Sequence, residues 1–137
     1  EAEGETPRDL EGDLTQIAER FAASGLRELL AGRGLRKELP FVVRIGPGFV
    51  SGVIDALTAD GVIVDYKTGN ADEARRERHA RQVRLYAHAA RALGMGGTLE
   101  AIVYYTDSGE VQTIDTTRDA CGPVVAAVAK LIGDAVA

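Results

Sequence analysis

Val62-Ile63-Val64-Asp65-Tyr66-Lys67 is the stretch on which the reading of the fold turns. It is a short apolar run that ends in an acid, an aromatic and a lysine. Asp60-Gly61 precedes it and Thr68-Gly69-Asn70 follows it. Turn residues on both sides and β-branched residues inside predict a strand. Side chains alternate across a strand, so Asp65 and Lys67 share one face and Val64 and Tyr66 the other. An acid and a lysine on a strand apolar enough to be central are costly to bury. Taken alone, the triplet also fits a strand that ends here with both charges in water.

The preceding segment changes that balance. Phe49 to Leu57 is strand-like and contains Ser51-Gly52-Val53-Ile54-Asp55. If the two strands pair antiparallel around Asp60-Gly61, Asp55 and Asp65 each lie about five residues from the turn, at similar heights. Two carboxylates converging on one point need a cation between them, or one must take a proton. A hard divalent ion with oxygen ligands, Mg²⁺ or Mn²⁺, fits. Lys67 would then stabilise charge on an attacking hydroxide or a phosphate, the chemistry of metal-assisted phosphodiester hydrolysis.

Further out, Phe41, Val43 and Ile45 alternate with Pro40, Val42 and Arg44, and Gly46-Pro47-Gly48 follows. This reads as a β-hairpin leading into a three-stranded antiparallel meander. Residues 72–92 lack Gly and Pro and are rich in Ala, Arg, Glu and Leu, which predicts a helix. Leu99–Thr106 and Glu110–Asp115 read as a fourth and a fifth strand. Val124, Val128, Leu131 and Val136 suggest a closing helix that starts at Gly122-Pro123. At the other end, residues 1–8 carry no periodicity and are expected to be a disordered tail. Leu10, Leu14, Ile17 and Phe21 mark one helix face from Asp9 onward, and Leu26, Leu29 and Leu30 a short second helix. The order α, meander, α, β, β, α over residues 9–137 describes one layered α/β or α+β domain.

Composition agrees with a single globular domain: 137 residues, 45% hydrophobic and 27% charged. No apolar run reaches the roughly 18 residues of a helical membrane span, so no membrane partner is expected. The lone Cys121 excludes an internal disulfide and a Cys-based zinc cluster. Net charge is −5, but residues 31–92 hold eleven basic side chains against seven acidic, and nine of the eleven are Arg. Arg suits bidentate phosphate contacts, although a solvated mixed-charge helix would look the same. Within that segment Arg75, His79, Gln82 and Tyr86 fall on one helix face, with Arg78 a turn from Arg75 and from Gln82. Such a stripe could follow a nucleic-acid backbone or be a solvated face with Tyr86 half-buried. Glu38, at the start of the first strand, is a candidate third acid or a surface glutamate. Gly52 marks either the close approach of another backbone or a packing accommodation.

These residues form a recognisable series. Glu38-Leu39-Pro40-Phe41, Gly52-Val53-Ile54-Asp55, Asp65-Tyr66-Lys67-Thr68 and Gln82-Val83-Arg84-Leu85-Tyr86 resemble the RecB-like branch of the PD-(D/E)XK nuclease superfamily. That branch orders an E-x-P-F strand, a G-x-x-D strand, a D-Y-K-T strand and a Q-x-x-x-Y helix. The resemblance is strongest to the C-terminal nuclease domains of AddAB- and AdnAB-type helicase-nucleases, over roughly residues 36–106. It implies an α/β fold, a mixed sheet with a central antiparallel meander flanked by helices. It implies metal ligation by Asp55 and Asp65, Lys67 as the catalytic lysine, and Glu38 as a further participant. Gln82 and Tyr86 match the helix motif that supports the site and contacts DNA, with Arg75, Arg78 and His79 beside it. The cofactor implied is Mg²⁺ or Mn²⁺. The partners implied are DNA and a UvrD-type helicase motor, in the same chain or in a partner subunit. The setting implied is double-strand break repair at the bacterial nucleoid, in the cytoplasm. A first residue other than Met fits a fragment of a longer helicase-nuclease chain.

Two departures from the pattern matter. Many RecB-like nucleases carry a metal-ligating histidine well upstream of the E-x-P-F strand, and no histidine precedes Glu38 here. Several hold an iron–sulfur cluster through four cysteines, so with one Cys none is expected. A second reading therefore stands beside the nuclease: a nuclease-like fold without catalysis, holding DNA or a partner subunit. A third is a small α/β domain whose acids are merely solvated.

Overall fold

The computed structural model describes residues 34–69, 72–95 and 99–136. The expected tail and the two helices expected before residue 32 lie outside the described residues. The described elements are β1 (Arg36–Ile45), β2 (Gly48–Leu57), β3 (Val62–Lys67), α1 (Glu73–Ala92), β4 (Glu100–Tyr105), β5 (Glu110–Ile114) and α2 (Arg118–Val136). The five strands make one sheet in the order β1-β2-β3-β4-β5. β1 to β3 form the antiparallel meander, running from the sheet edge to its centre. β4 pairs parallel with β3, and β5 antiparallel with β4. A parallel pair requires a crossover, and α1 supplies it. The sheet is therefore mixed and the fold α/β. Among the described residues no helix is long and apolar enough to cross a membrane.

Local chemistry sets the boundaries. The β1–β2 connection is tight because Gly46 adopts φ +56°. At the β2–β3 turn, Thr58 closes the loop: its N–H donates to the Val62 carbonyl at 2.9 Å, and its Oγ1 accepts the Val62 N–H at 2.8 Å. Asp72 caps α1 by accepting the Arg75 N–H on Oδ1 at 2.8 Å. At the other end Gly94 N–H donates to the Arg91 carbonyl and Met95 N–H to the Ala90 carbonyl, a Schellman closure.

The start of α2 differs from the expectation. The helix begins at Arg118, and Pro123 lies inside it rather than at its start. Thr117 is the cap: its Oγ1 accepts the Ala120 N–H at 3.2 Å, while Asp115 Oδ1 accepts the Thr117 N–H at 3.0 Å. A capped first turn with Asp119 in it is already under way when Pro123 removes one backbone donor. Gly122 and Pro123 are both exposed, so the ring meets solvent instead of a packed neighbour.

The sheet has two apolar faces. On one, Phe41, Val43, Ile54, Leu57, Ile63, Val103 and Tyr105 pack beneath α1 and α2. α1 buries Ala80, Val83, Tyr86, Ala87, Ala89 and Ala90 there, and the small alanines let the helix sit close. Ala56, Val62, Val64 and Tyr104 form the core on the other face.

Gly52 resolves as a packing accommodation. A Cβ there would meet Phe41 Cζ at 2.8 Å and Cε2 at 2.9 Å, so the position seats an aromatic ring rather than a backbone. Phe41 in turn meets Tyr86 edge-on, with ring centroids 5.6 Å apart. Phe41 is buried and cannot swing away freely. Gly52→Ala should therefore destabilise by about 1–3 kcal/mol, the usual range for overpacking a filled core. Urea unfolding would measure it, and a Phe41→Leu background should reduce the loss, because the clash is with the ring.

Candidate active site

β2 and β3 pair at only two positions, Ala56 with Val64 and Leu57 with Ile63. Continuing that register puts Asp55 opposite Asp65, where the ladder has stopped. The strands part there, and a side chain takes over the backbone's role: Asp55 Oδ2 accepts the Tyr66 N–H at 2.9 Å. The same height is irregular on the far side of β2. In the β1–β2 register Lys37 pairs with Ala56 and Leu39 with Ile54, and Glu38, between them, falls opposite Asp55 without pairing. Glu38 has φ +51°, a left-handed conformation that side-chain-bearing residues rarely adopt. The pleat also breaks in β2, since Ile54 and Leu57, three residues apart, both face the helices.

Into this gap projects Asp65, only 1% exposed. Its Oδ2 lies 3.2 Å from Lys67 Nζ, an ion-pair distance without the alignment of a hydrogen bond. Burial raises the Asp65 pKa from 3.8 to about 7. The Lys67 charge opposes that rise, while the neighbouring Asp55 carboxylate adds to it. The solvated-acid reading does not survive this burial. Asp65 and Lys67 share the helix-facing side of β3, as the alternation requires, with Val64 and Tyr66 on the other side.

The end of β3 is anchored as well. Thr106 N–H donates to the Lys67 carbonyl at 2.9 Å, and Asp107 Oδ2 accepts the Gly69 N–H at 2.7 Å. Gly69, at φ +82°, lies against the Arg75 guanidinium, whose Nη1 would be 3.2 Å from a Cβ placed there. The stripe on α1 thus starts beside the β3 terminus. His79 Nδ1 is 3.2 Å from the Tyr105 hydroxyl. Gln82 Nε2 donates to the Tyr86 hydroxyl at 2.8 Å, and the Tyr86 ring is in the core. Arg78 is exposed on the solvent side of the helix.

Asp55, Asp65 and Lys67 are therefore brought together. Glu38 is exposed at the strand break, and among the described residues no group of three or more His, Cys, Asp or Glu side chains gathers as a metal cage. Tyr105 and Gln112 were not foreseen. Lys67 pairs with Tyr105 across the parallel β3–β4 ladder, a long-range pairing that no local pattern announces.

The sequence matches the model of the PD-(D/E)XK nuclease superfamily over residues 1–136. The chain belongs to the PD-(D/E)XK nuclease superfamily. Its fold is similar to that of a Eubacterium rectale protein provisionally described as an exonuclease, with a TM-score of 0.66 and 14% sequence identity. That match covers 90% of this chain and 51% of the other, so the chain spans about half that protein's length. A comparison with curated proteins found no match. Nucleases of this superfamily generally use divalent metal ions such as Mg²⁺. The donors present fit such an ion: two facing carboxylates, one with a buried oxygen lacking an aligned hydrogen bond.

The raised Asp65 pKa has a consequence for stability in the absence of metal. The folded state holds this proton more tightly than the unfolded state does. The contribution is thus fully present below about pH 4 and is lost as pH climbs towards 7. The loss is at most about 4 kcal/mol, from roughly three pKa units at 1.36 kcal/mol each. Urea midpoints in EDTA should fall between pH 5 and pH 8 in the wild type, and Asp65→Asn should flatten that fall.

Proposed function

We propose that this chain is a metal-dependent DNA nuclease domain, with Asp55 and Asp65 as metal ligands and Lys67 as the catalytic lysine. The observation that carries the reading is the gap between β2 and β3. Two carboxylates and an ammonium converge there in a fold whose family is nuclease. When bound, a divalent ion supplies Lewis-acid stabilisation of phosphate charge and a more acidic water. The protein's own residues prepare the rest. The Tyr66 N–H orients the Asp55 carboxylate. Burial keeps Asp65 from being satisfied by solvent. Lys67, 14% exposed, reaches the gap from the same strand face and can meet negative charge on a scissile phosphate. Arg75, which lies against Gly69 at the end of β3, and the exposed Arg78 are the cations for the flanking nucleic-acid backbone on this reading.

The finer reading is a RecB-like domain that works with a UvrD-type helicase motor in double-strand break repair, with Mg²⁺ or Mn²⁺ as the ion. The four motifs in order support it. The competing reading, a nuclease-like DNA- or subunit-binding module without catalysis, draws support from the gathering of only two acids among the described residues. Only the first reading cleaves DNA.

Calorimetric titration with Mn²⁺ should show a site that Asp65→Ala removes. Linear DNA incubated with Mg²⁺ or Mn²⁺ should be degraded, with EDTA abolishing the reaction. Lys67→Ala should slow it by about 10²–10³, the usual cost of losing one charge-stabilising group. Cleavage unaltered by Lys67→Ala would refute the assignment, and metal binding with no cleavage would favour the binding module. Replacing Arg75 and Arg78 by Ala should weaken oligonucleotide binding and flatten its salt dependence by about one to two units. Anisotropy titrations at several salt concentrations would measure this.

A further inference from the structure

The exit from β3 is held by side chains that the chemistry above does not use. The β3–β4 ladder closes on Lys67 and Tyr105. On the other side the β2 ladder has already stopped at Val64, and the Asp55 carboxylate takes the Tyr66 N–H. The two residues after β4 then continue the grip. The Lys67 carbonyl accepts both the Thr106 N–H at 2.9 Å and the Thr106 hydroxyl at 3.2 Å. Two residues on, the Gly69 N–H donates to Asp107 Oδ2 at 2.7 Å. The first contacts fix the peptide plane between Lys67 and Thr68, the second the plane between Thr68 and Gly69. Gly69 turns the chain at φ +82°, a conformation that glycine adopts easily and leaves as easily. The residues that hold it are themselves held. Thr106 is buried, and in the turn after Asp107 the Gly109 N–H donates to the Tyr105 carbonyl at 2.8 Å and the Glu110 N–H to Ser108 Oγ at 3.2 Å.

We propose that Asp107, together with the Thr106 hydroxyl, is a positioning residue for Lys67, locking the exit from β3 so that the ammonium stays beside Asp65. A lysine carries its charge on a flexible four-carbon stem, so the charge is placed only as well as the root of that stem. Lys67 is the last residue of β3, and its ψ is set by the peptide plane that Thr106 grips. Its Nζ lies 3.2 Å from Asp65 Oδ2 without the alignment of a hydrogen bond, so this pair alone does not fix the stem. Asp107 acts here as an acceptor for a backbone amide. It joins no gathering of three acids with Asp55 and Asp65, which separates it from the metal ligands. An amide oxygen in its place can therefore do the same work. The inference rests on the nuclease reading for what Lys67 does, though not for the clamp.

Asp107→Ala and Asp107→Asn test it together, because the first deletes the acceptor and the second keeps an acceptor without the charge. Two readouts are needed. The first is amide hydrogen exchange by NMR in EDTA. The Gly69 N–H should exchange about tenfold faster in Asp107→Ala, and Asp107→Asn should restore most of its protection. The second is the kinetics of linear DNA cleavage with Mg²⁺ or Mn²⁺. There Asp107→Ala should lower kcat by about 10- to 100-fold, the cost of a misplaced group, with KM within about twofold of the wild type. Asp107→Asn should recover most of that loss. In a Lys67→Ala background Asp107→Ala should cost nothing further, since its effect runs through the lysine. Thr106→Val removes the hydroxyl from the Lys67 carbonyl with little change of shape. It should lower kcat in the same way, also only while Lys67 is present, and it carries the test if Asp107→Ala fails to fold. Full additivity with Lys67→Ala would overturn the proposal, because the residue would then act on the fold at large. Asp107→Asn as slow as Asp107→Ala would also overturn it, since the charge would matter and not the acceptor. Wild-type protein that cleaves no DNA would overturn the nuclease reading and this inference with it, whereas wild-type cleavage that Asp107→Ala and Thr106→Val leave unchanged would overturn the inference alone.

Discussion

The rest of the site depends on one substitution of roles: a carboxylate stands in for a strand. β3 is central, with β2 on one side and β4 on the other. A buried backbone N–H in a central strand must find an acceptor. Beyond Val64 the β2 ladder no longer provides one, and the Asp55 side chain accepts from Tyr66 instead. This lets the two strands separate without leaving an unpaired donor. The separation makes room for Asp65 to point inward, and it holds the Asp55 carboxylate at the same height. A regular ladder here would close the gap. A strand that parted without the Asp55 bond would carry an unsatisfied amide, at a cost of about 1–3 kcal/mol. Carboxylate orientation and strand divergence are thus one interaction seen from two sides.

The other motif residues are joined by packing rather than by shared chemistry. Gly52 leaves space for the Phe41 ring, Phe41 meets Tyr86 edge-on, and the Tyr86 hydroxyl takes the Gln82 amide. β2, β1 and α1 are tied in that order. The Tyr86 ring packs in the core between α1 and the sheet, and its hydroxyl accepts from Gln82 on its own helix. The anchor matters for the site because the register of α1 determines where Arg75 and His79 stand. A change at Gly52 would be felt through this chain at the first turn of α1, far from its own position in the sequence.

Much of this was legible in the sequence where the signal was local. Asp60-Gly61 and the two apolar runs flanking it were enough to place Asp55 opposite Asp65, because a tight turn fixes register by counting. The alternation in β3 correctly put Asp65 and Lys67 on one face. What local pattern could not supply were facts about distant neighbours. The burial of Asp65 is set by neighbours distant in sequence, among them β4, which pairs Val103 with Asp65. Tyr105 becomes part of the site only through the parallel pairing of β4 with β3, and that pairing joins segments about forty residues apart. Gly52 offered two readings because its meaning lies in Phe41 on the facing strand. The start of α2 was misplaced for a different reason. Pro123 is a strong punctuation mark, whereas the Asp115-Thr116-Thr117 cap that starts the helix is quieter, and capping decided the outcome.

The crossover explains why one short stretch of chain brings Asp65, Lys67 and Arg75 close together. A parallel β3–β4 pair forces the chain to leave β3 at Lys67, cross the sheet face as α1 and return as β4. The departure point is the gap between β2 and β3, so the first turn of α1 begins beside it. The return brings β4 back in parallel register, so its last residue, Tyr105, arrives next to Lys67, the last residue of β3. Arg75 in the first turn of α1 therefore lies against Gly69 at the end of β3, and Tyr105 pairs beside Lys67 from the adjoining strand. The second half of α1 is far enough away to be given to alanines and core packing, with Ala87, Ala89 and Ala90 fully buried. Arg75 and His79 fall in the first half of the helix and the fully buried Ala87, Ala89 and Ala90 in the second, which also carries Arg84, His88 and Arg91 on its other sides. A longer loop after Lys67 would break this coupling, since α1 could then start anywhere on the face. The short connection from Gly69, at φ +82°, to the Asp72 cap keeps the start of α1 beside the end of β3.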